Sequence, residues 1–249
     1  MKPALPSLAV LLAHSCLAQP PSPTPAFDVA SVRPSSHAGN GDEVHVETSP
    51  GSLHTRGASL RFYIEWAYHT PPFQMDGPAW LSHEGFDIVA KAATPVNDDQ
   101  LRLMLRTLLA GRFGVKVHTV RREMEVYALT LAKGGPKFHE SASEGSPLFG
   151  NDGKAAMTAK HVSMSDFAAK ISEPLGRPVV DATGLKGRYD IRIDVTSYMT
   201  ASMDKGGELE TMNLLLTAFQ KQLGLKFVSR KSTVDILVVD HAEKAPAEN

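Results

Sequence analysis

The strongest constraint on the fold is a pattern that occurs twice in the chain, in the same order each time. In its first part, a serine precedes apolar residues at helical spacing, once at Ser59 and again at Ser163. In its second part, an aliphatic helical stripe ends at a glycine, once at Gly114 and again at Gly224. Because both parts recur in the same order, we expect a duplicated unit of roughly 100 residues.

The two repeats predict an α+β protein made of two related halves. The first half spans residues 27–138, the second spans 155–241, and a polar, glycine- and serine-rich linker at 139–154 separates them. In each half, about two helices are expected to pack on small mixed β-sheets, because a helix with one apolar stripe needs a sheet surface to cover it. Residues 242–249 are expected to form a disordered tail.

Two apolar segments follow the last helix of each predicted half. In the first half these segments are 115–120 and 126–131, and we expect them to pair with each other as a hairpin. The second half repeats this plan with strands at 225–228 and 234–240.

The N-terminus has the features of a secretory signal peptide. Residues 1–18 combine a basic start, a short apolar run and small residues before a cleavage site, and the run is too short to span a bilayer. Residues 19–26 are proline-rich and are expected to form an extended spacer. We therefore expect a periplasmic or secreted protein with no membrane span after signal cleavage.

The single cysteine, Cys16, lies inside this signal. Cleavage after Ala18 would leave a mature protein with no disulfide, thiolate nucleophile or thiolate metal site. In the alternative, Cys16 is acylated and becomes the N-terminus of a lipoprotein. Ala13 stands where such a signal usually has a leucine, which favours simple cleavage.

The charge of the chain excludes one large class of ligand. The formal net charge is −1 at pH 7, from 26 basic and 27 acidic side chains. No run of lysine or arginine forms a basic stripe that would attract a phosphate backbone. We therefore expect no nucleic-acid partner.

Two segments share a motif with a known group of periplasmic domains. Residues 105–115 and 214–225 resemble the helix and turn in the short N-terminal domain of secretins and TonB-dependent receptors, and 234–239 resembles the strand that follows. Those domains are small βαβ repeats that dock other proteins. The resemblance therefore implies a docking role for each half.

A second resemblance covers nearly the whole mature chain. The matching phrases are residues 27–34, 77–81, 127–136, 176–185 and 247–249. They are similar to an uncharacterised secreted family, a domain of unknown function, that is expanded in soil Acidobacteria. Some relatives are fused to membrane metallopeptidase sensors of the β-lactam-sensing type, which implies sensing rather than catalysis and offers no catalytic residue to carry over.

Both tryptophans of the chain fall in an aromatic-rich segment of the first half. Trp66, Tyr68 and Trp80 are candidate binding residues, because such rings bury a large area when a partner covers them. The alternative is packing in the core or between domains. Arg102 and Arg106 are assigned to the solvent side of the following helix.

A secreted hydrolase that uses paired carboxylates is the alternative function. Asp87 and Asp190 each stand between an aromatic and an aliphatic residue, and Asp181 precedes Ala-Thr-Gly, one residue longer than the aspartic-protease motif. These three are the acid or base candidates, in a pair roughly 5–10 Å apart. The alternatives are outward charges on strands for Asp87 and Asp190, and a turn cap for Asp181.

Histidines offer a third hypothesis, a metal site. His45, Glu47 and His54 are candidates to share one face of a sheet, although no His-x-x-x-His spacing occurs. Solvated histidines are the alternative, and we expect neither a metal nor a cofactor. The sequence as a whole predicts an exported, non-enzymatic interaction or sensing module that binds an envelope protein, peptide or glycan.

Overall fold

A computed structural model of the chain shows the α+β architecture that the sequence predicts. The predicted signal peptide at 1–18 lies outside the described residues. The structure describes residues 24–35, 45–142, 145–151, 156–196, 198 and 208–248, without the side chains of 45, 46 and 208–210. In those ranges no helix is long and apolar enough to cross a membrane.

The elements follow the chain in two similar series. The first series is β1 (Val29–Pro34), β2 (His45–Ser49), β3 (Ser52–Ser59), α1 (Leu60–Tyr68), β4 (Met75–Asp76), β5 (Gly85–Lys91), α2 (Asp98–Phe113) and β6 (Lys116–Leu131). The second series is β7 (His139–Glu140), β8 (Leu148–Asn151), β9 (Ala156–Val162), α3 (Met164–Ser172), β10 (Val179–Asp181), β11 (Tyr189–Asp194), α4 (Glu208–Leu223) and β12 (Leu225–His241). Short 3-10 turns lie at Pro72–Gln74 and Ala79–Ser82.

The repeated serines cap the first helix of each series. Ser59 Oγ accepts a hydrogen bond from the amide of Phe62 at 3.2 Å. Ser163 Oγ accepts one from the amide of Asp166 at 3.1 Å, and the Asp166 carboxylate accepts from the Ser163 amide to complete a capping box. Both bonds satisfy amides that have no partner inside the helix, which explains why α1 and α3 begin at these positions.

The outer sheets of the two series have the same strand order. The N-terminal sheet runs β1-β5-β3-β2 and the C-terminal sheet runs β7-β11-β9-β8. All pairings in these two sheets are antiparallel. The two outer sheets therefore share one strand order and one antiparallel pairing pattern.

The central sheet is built on two long strands that the sequence analysis divided. The strands β6 and β12 pair antiparallel along their whole length, from Leu225 opposite Leu131 to His241 opposite Lys116. The predicted hairpins within 115–131 and within 225–240 are therefore wrong. We call the paired strands β6 and β12 the ribbon. The polar middle of each strand contains no glycine, proline, asparagine or aspartate to make a turn. Each middle is polar because it lies in the solvent-exposed part of the ribbon.

The two series exchange strands across this sheet. The strand β4 of the first series pairs parallel with β12 of the second, with Met75 opposite Leu237. Reciprocally, β10 of the second series pairs parallel with β6 of the first, with Val179 opposite Tyr127. The order of the central sheet is thus β10-β6-β12-β4.

Two large cores define two lobes that do not coincide with the predicted halves. The first lobe contains the N-terminal sheet, α1 and α2, and its core also holds Leu237 and Val239 from the C-terminal end of β12. The second lobe contains the C-terminal sheet, α3 and α4, and its core also holds Leu129 from β6. Each lobe is therefore completed by a strand from the other series.

The segments expected to be irregular take part in the structure where it is described. The expected linker at 139–154 contains β7 and β8, which border the C-terminal sheet on its two sides. The expected tail runs along the end of α2, where the amide of Glu243 donates to the carbonyl oxygen of Phe113 at 2.7 Å. Polar composition alone does not distinguish a loop from a short edge strand, because edge strands are solvated on several sides.

Candidate functional site

Two of the three aromatic candidates occupy the last turn of α1. Trp66 and Tyr68 are both half-buried, and each packs against the core of the first lobe while keeping part of its ring exposed. The stripe of α1 that faces the core consists of Leu60, Tyr63, Ile64 and Ala67. The helix therefore directs its fully buried residues inward and leaves these two rings at the border with solvent.

Two arginines of α2 cover the two rings. The guanidinium carbon of Arg102 lies 4.4 Å from the ring centre of Trp66, and that of Arg106 lies 4.5 Å from the ring centre of Tyr68. These distances are within the range of cation–π attraction. We call Trp66, Tyr68, Arg102 and Arg106 the aromatic–arginine surface.

The same arginines cap the C-terminal end of α1. An Arg102 guanidinium N–H donates to the carbonyl oxygen of Trp66, and Arg106 Nε donates to that of Ala67 at 2.8 Å. The Trp66 carbonyl also accepts a hydrogen bond from the capping amide of His69 at 3.2 Å, and both carbonyl groups lie at the negative end of the helix dipole. Each arginine is thus fixed at two points, which holds the rings and the guanidinium groups in one arrangement.

Partial burial changes the proton affinities of this surface. Burial raises the pKa of the Tyr68 hydroxyl, and the positive charge of Arg106 acts in the opposite direction. Burial also lowers the pKa of Arg102, against the acidic side chains of the first turn of α2. Both shifts have the same cause, which is that the Tyr68 hydroxyl and the charged Arg102 guanidinium are partly removed from water.

An ion pair lies next to the surface on the same helix. Arg61 Nε is 2.7 Å from Glu65 Oε1, although that oxygen makes no well-aligned hydrogen bond. Burial raises the pKa of Glu65, Arg61 lowers it, and the negative charge of Glu173 at the end of α3 raises it further.

Trp80 lies on a different element from the other two candidates. Trp80 is half-buried in the 3-10 turn Ala79–Ser82, and the ammonium nitrogen of Lys244 lies 5.8 Å from its ring centre. Among the ring contacts between described residues, none involves Trp80. Trp66 and Trp80 are both partly exposed, so neither is lost to the core.

The acid or base candidates lie on three different sheets. Asp87 is on β5 in the N-terminal sheet, Asp181 is on β10 in the central sheet, and Asp190 is on β11 in the C-terminal sheet. Asp181 Oδ1 accepts hydrogen bonds from the amide and hydroxyl of Thr183 at 2.9 and 2.7 Å. The turn cap considered for Asp181 is therefore confirmed.

Asp87 and Asp190 occupy equivalent positions, and each accepts a hydrogen bond from a backbone amide of a neighbouring strand. Asp87 Oδ1 accepts from the amide of Gly57 at 2.8 Å, and Asp190 Oδ1 accepts from the amide of His161 at 2.9 Å. Gly57 and His161 have positive φ angles of 67° and 54° and lie at register shifts between paired strands. Each carboxylate thus holds a β-bulge just before a helix, which gives the repeated aromatic-Asp-aliphatic phrase a structural reason.

Hydrogen bonds alter the acidity of one of these carboxylates. The hydroxyl of Ser141 and the amide of His161 both donate to Asp190, and they lower the pKa of this exposed carboxyl group. A lowered pKa keeps Asp190 ionised, as suits a hydrogen-bond acceptor.

Two of the three candidates for a metal site, Glu47 and His54, lie opposite each other on paired strands. His54 Nδ1 lies 3.9 Å from Glu47 Oε2 on neighbouring strands, while the side chain of His45 is outside the description. No group of three histidine, cysteine, aspartate or glutamate side chains suited to a metal ion occurs in the described part of the chain.

The sequence predicts the two rings as site residues but not their arginine partners. Arg102 and Arg106 were assigned to solvent because they lie off the leucine stripe of α2. Their separation of four residues places them on one face of the helix, but the same spacing is usual on a solvated face and gave no signal of a covering element. The partner element itself could not be identified from spacing alone.

Fold and site together define a two-lobed α+β protein with a shared central sheet and a half-buried surface of aromatic and arginine side chains. The family described as "Protein of unknown function (DUF3738)" matches residues 61–242, more than half of the chain, and the protein belongs to this family. The expected membership of an uncharacterised domain family is thereby confirmed. No curated protein and no solved structure matches the chain.

Proposed function

We propose that this protein is an exported, non-enzymatic interaction or sensing module of the cell envelope. In this proposal, the aromatic–arginine surface binds a protein, peptide or glycan partner, and Trp80 lies outside the principal contact. The predicted signal at residues 1–18, the absence of cysteine after it and the resemblance to periplasmic docking domains support an envelope location. The resemblance to a secreted Acidobacteria family is consistent with this location.

The observation that carries the proposal is the pairing of Trp66 with Arg102 and of Tyr68 with Arg106 on a partly exposed surface. Tryptophan, tyrosine and arginine are the residue types most enriched among the energetically dominant residues of protein interfaces. Their side chains are already fixed by stacking and by hydrogen bonds. Binding of a partner would therefore cost these side chains little conformational entropy.

A comparison of the two series supports a role beyond folding. At the positions 104 residues after the two rings, α3 carries Lys170 and Ser172. At the positions 110 residues after the two arginines, α4 carries Met212 and Leu216. The second series thus forms its two helices without any of the four residues, so the helices themselves do not depend on them.

The proposal is tested with the mature protein, from residue 19, as wild type and as the double variant Arg102→Ala/Arg106→Ala. Binding to envelope proteins and to purified peptidoglycan is measured separately, by quantitative affinity capture and by co-sedimentation. We expect the double variant to lose roughly tenfold or more of the wild-type affinity for one of these fractions.

A second arginine–aromatic pair, at the central sheet, provides a matched control. Arg177 covers the ring of Tyr127, with its guanidinium carbon 4.7 Å from the ring centre, outside the aromatic–arginine surface. The variant Arg177→Ala should retain wild-type binding, and circular dichroism should show all variants folded. Equal binding by wild type and double variant, or equal loss in the control, would contradict the proposal.

A further inference from the structure

A second surface, on the other lobe, forms an open groove of about 450 Å³. It lies between the turn that follows β6 and the C-terminal end of α4. Its lining residues are Ala132, Lys133, Gly134, Gly135, Lys137, Gln220, Lys221, Gly224 and Lys226. Four of these nine are lysines and none is acidic, although the whole chain is close to neutral.

The lysines of the groove divide into one that is engaged and three that are available. Lys137 Nζ donates to the carbonyl oxygen of Lys221 at 2.8 Å and thereby neutralises the negative end of α4. Lys133, Lys221 and Lys226 are exposed. Their ammonium groups form no ion pair with any residue that the structure describes.

The floor of the groove is backbone without large side chains. Gly224 has a φ of 66°, and a Cβ atom there would collide with the carbonyl oxygen of Gly135. The amide of Gly135 donates to the carbonyl oxygen of Ala132 at 2.9 Å and closes a turn. The two amides inside this turn, of Lys133 and Gly134, donate to no described acceptor and are available to a ligand.

The corresponding place in the first lobe is less basic. There the chain after β12 lies along the end of α2, and the Ala247 amide donates to the carbonyl oxygen of Arg112 at 2.6 Å. Glu243 stands 110 residues after Lys133, so the repeat replaces a lysine with an acid. The lysines of the second lobe are therefore not a requirement of the shared fold.

We propose that this groove binds a polyanionic glycan, a sugar chain that carries carboxylate or phosphate groups. Lysine ammonium groups pair with both kinds of anion. The free amides and the side-chain amide of Gln220 can donate to or accept from sugar hydroxyls. None of the nine lining residues is aromatic, which disfavours stacked nucleic-acid bases.

The test uses the mature protein and four probes. Oligogalacturonate supplies carboxylates on sugar, phosphorylated dextran supplies phosphates on sugar, dextran is the neutral sugar control, and poly-glutamate supplies carboxylates without sugar. Affinities are measured by isothermal titration at low and at physiological salt. Binding to either charged sugar, weakened by salt and absent with dextran, is expected.

The groove variant is Lys133→Gln/Lys221→Gln/Lys226→Gln. The control variant Lys91→Gln/Lys116→Gln/Lys170→Gln removes three exposed lysines elsewhere and changes the net charge equally. We expect roughly a tenfold loss of affinity in the groove variant and less than a twofold change in the control.

Each outcome decides the proposal. Binding of only one charged sugar supports it and assigns the anion as carboxylate or phosphate. Equal losses in the two variants, tighter or equal binding of poly-glutamate, or no binding of either charged sugar would overturn it. The aromatic–arginine surface is on the other lobe. Failure of the glycan proposal would therefore not contradict the proposed function, which the double arginine variant tests separately.

Discussion

At the scale of single residues, the sequence identifies which side chains are buried but not what they bond. Tyr63 lies on the apolar stripe of α1 and is 1% exposed, as the helical spacing predicts. Its hydroxyl lies 2.5 Å from Thr55 Oγ1 and donates to the carbonyl oxygen of Phe86 at 2.8 Å. Both partners belong to strands that the spacing of α1 cannot reveal, just as it could not reveal the arginines that cover Trp66 and Tyr68.

Removing this hydroxyl should weaken the first lobe. Burial raises the pKa of Tyr63, so the hydroxyl stays neutral at physiological pH and acts as a hydrogen-bond donor. Tyr63→Phe should lower the free energy of unfolding by about 1 kcal/mol, because it leaves a buried carbonyl oxygen and Thr55 with one partner fewer. Urea denaturation measures this change.

Tyr127→Phe is the matched control for this substitution. The Tyr127 ring is partly buried, and its hydroxyl makes no hydrogen bond to a described residue. Its unfolding free energy should stay within about 0.5 kcal/mol of wild type. Equal effects of the two substitutions would show that the bonds to Thr55 and Phe86 contribute nothing specific.

At the scale of elements, helices are more predictable from this sequence than strands. The helices α1, α2 and α3 begin after residues with a side-chain cap, and their stripes give the correct faces. The strands β6 and β12 were each divided because their exposed polar middles interrupt the apolar pattern. The repeated Asp of β5 and β11 was interpreted as an outward charge, since a bulge depends on pairing with a second strand.

The bulge before α1 gives a test at this scale. Gly57 has a φ of 67°, so Gly57→Ala should lower the free energy of unfolding by about 1–2 kcal/mol through backbone strain. Gly111, inside α2, has nothing within 4 Å of an added Cβ atom, so Gly111→Ala should raise it by about 0.5–1 kcal/mol. Thermal and urea denaturation that gave both substitutions the same sign would contradict the bulge geometry.

At the scale of the whole molecule, the lobes are joined by exchange rather than by a linker. The second series supplies Leu237 and Val239 to the first core, and the first series supplies Leu129 to the second. The sequence predicts a repeat but not the exchange, because the apolar pattern of each long strand fits a neighbour from either series. At the middle of the ribbon, Glu123 faces Thr233, and the two are 110 residues apart, like Gly114 and Gly224.

The pairing of the two long strands is tested most directly by disulfide formation in the mature protein, which lacks Cys16 if the signal is cleaved as predicted. In Glu123→Cys/Thr233→Cys the new side chains are opposite each other across the ribbon, and oxidation should join them. In Arg121→Cys/Glu125→Cys they are four residues apart along one extended strand, about 13 Å, and should not join. A disulfide in the second variant and none in the first would mean that each series folds back on itself as a hairpin, and the exchanged architecture would be wrong.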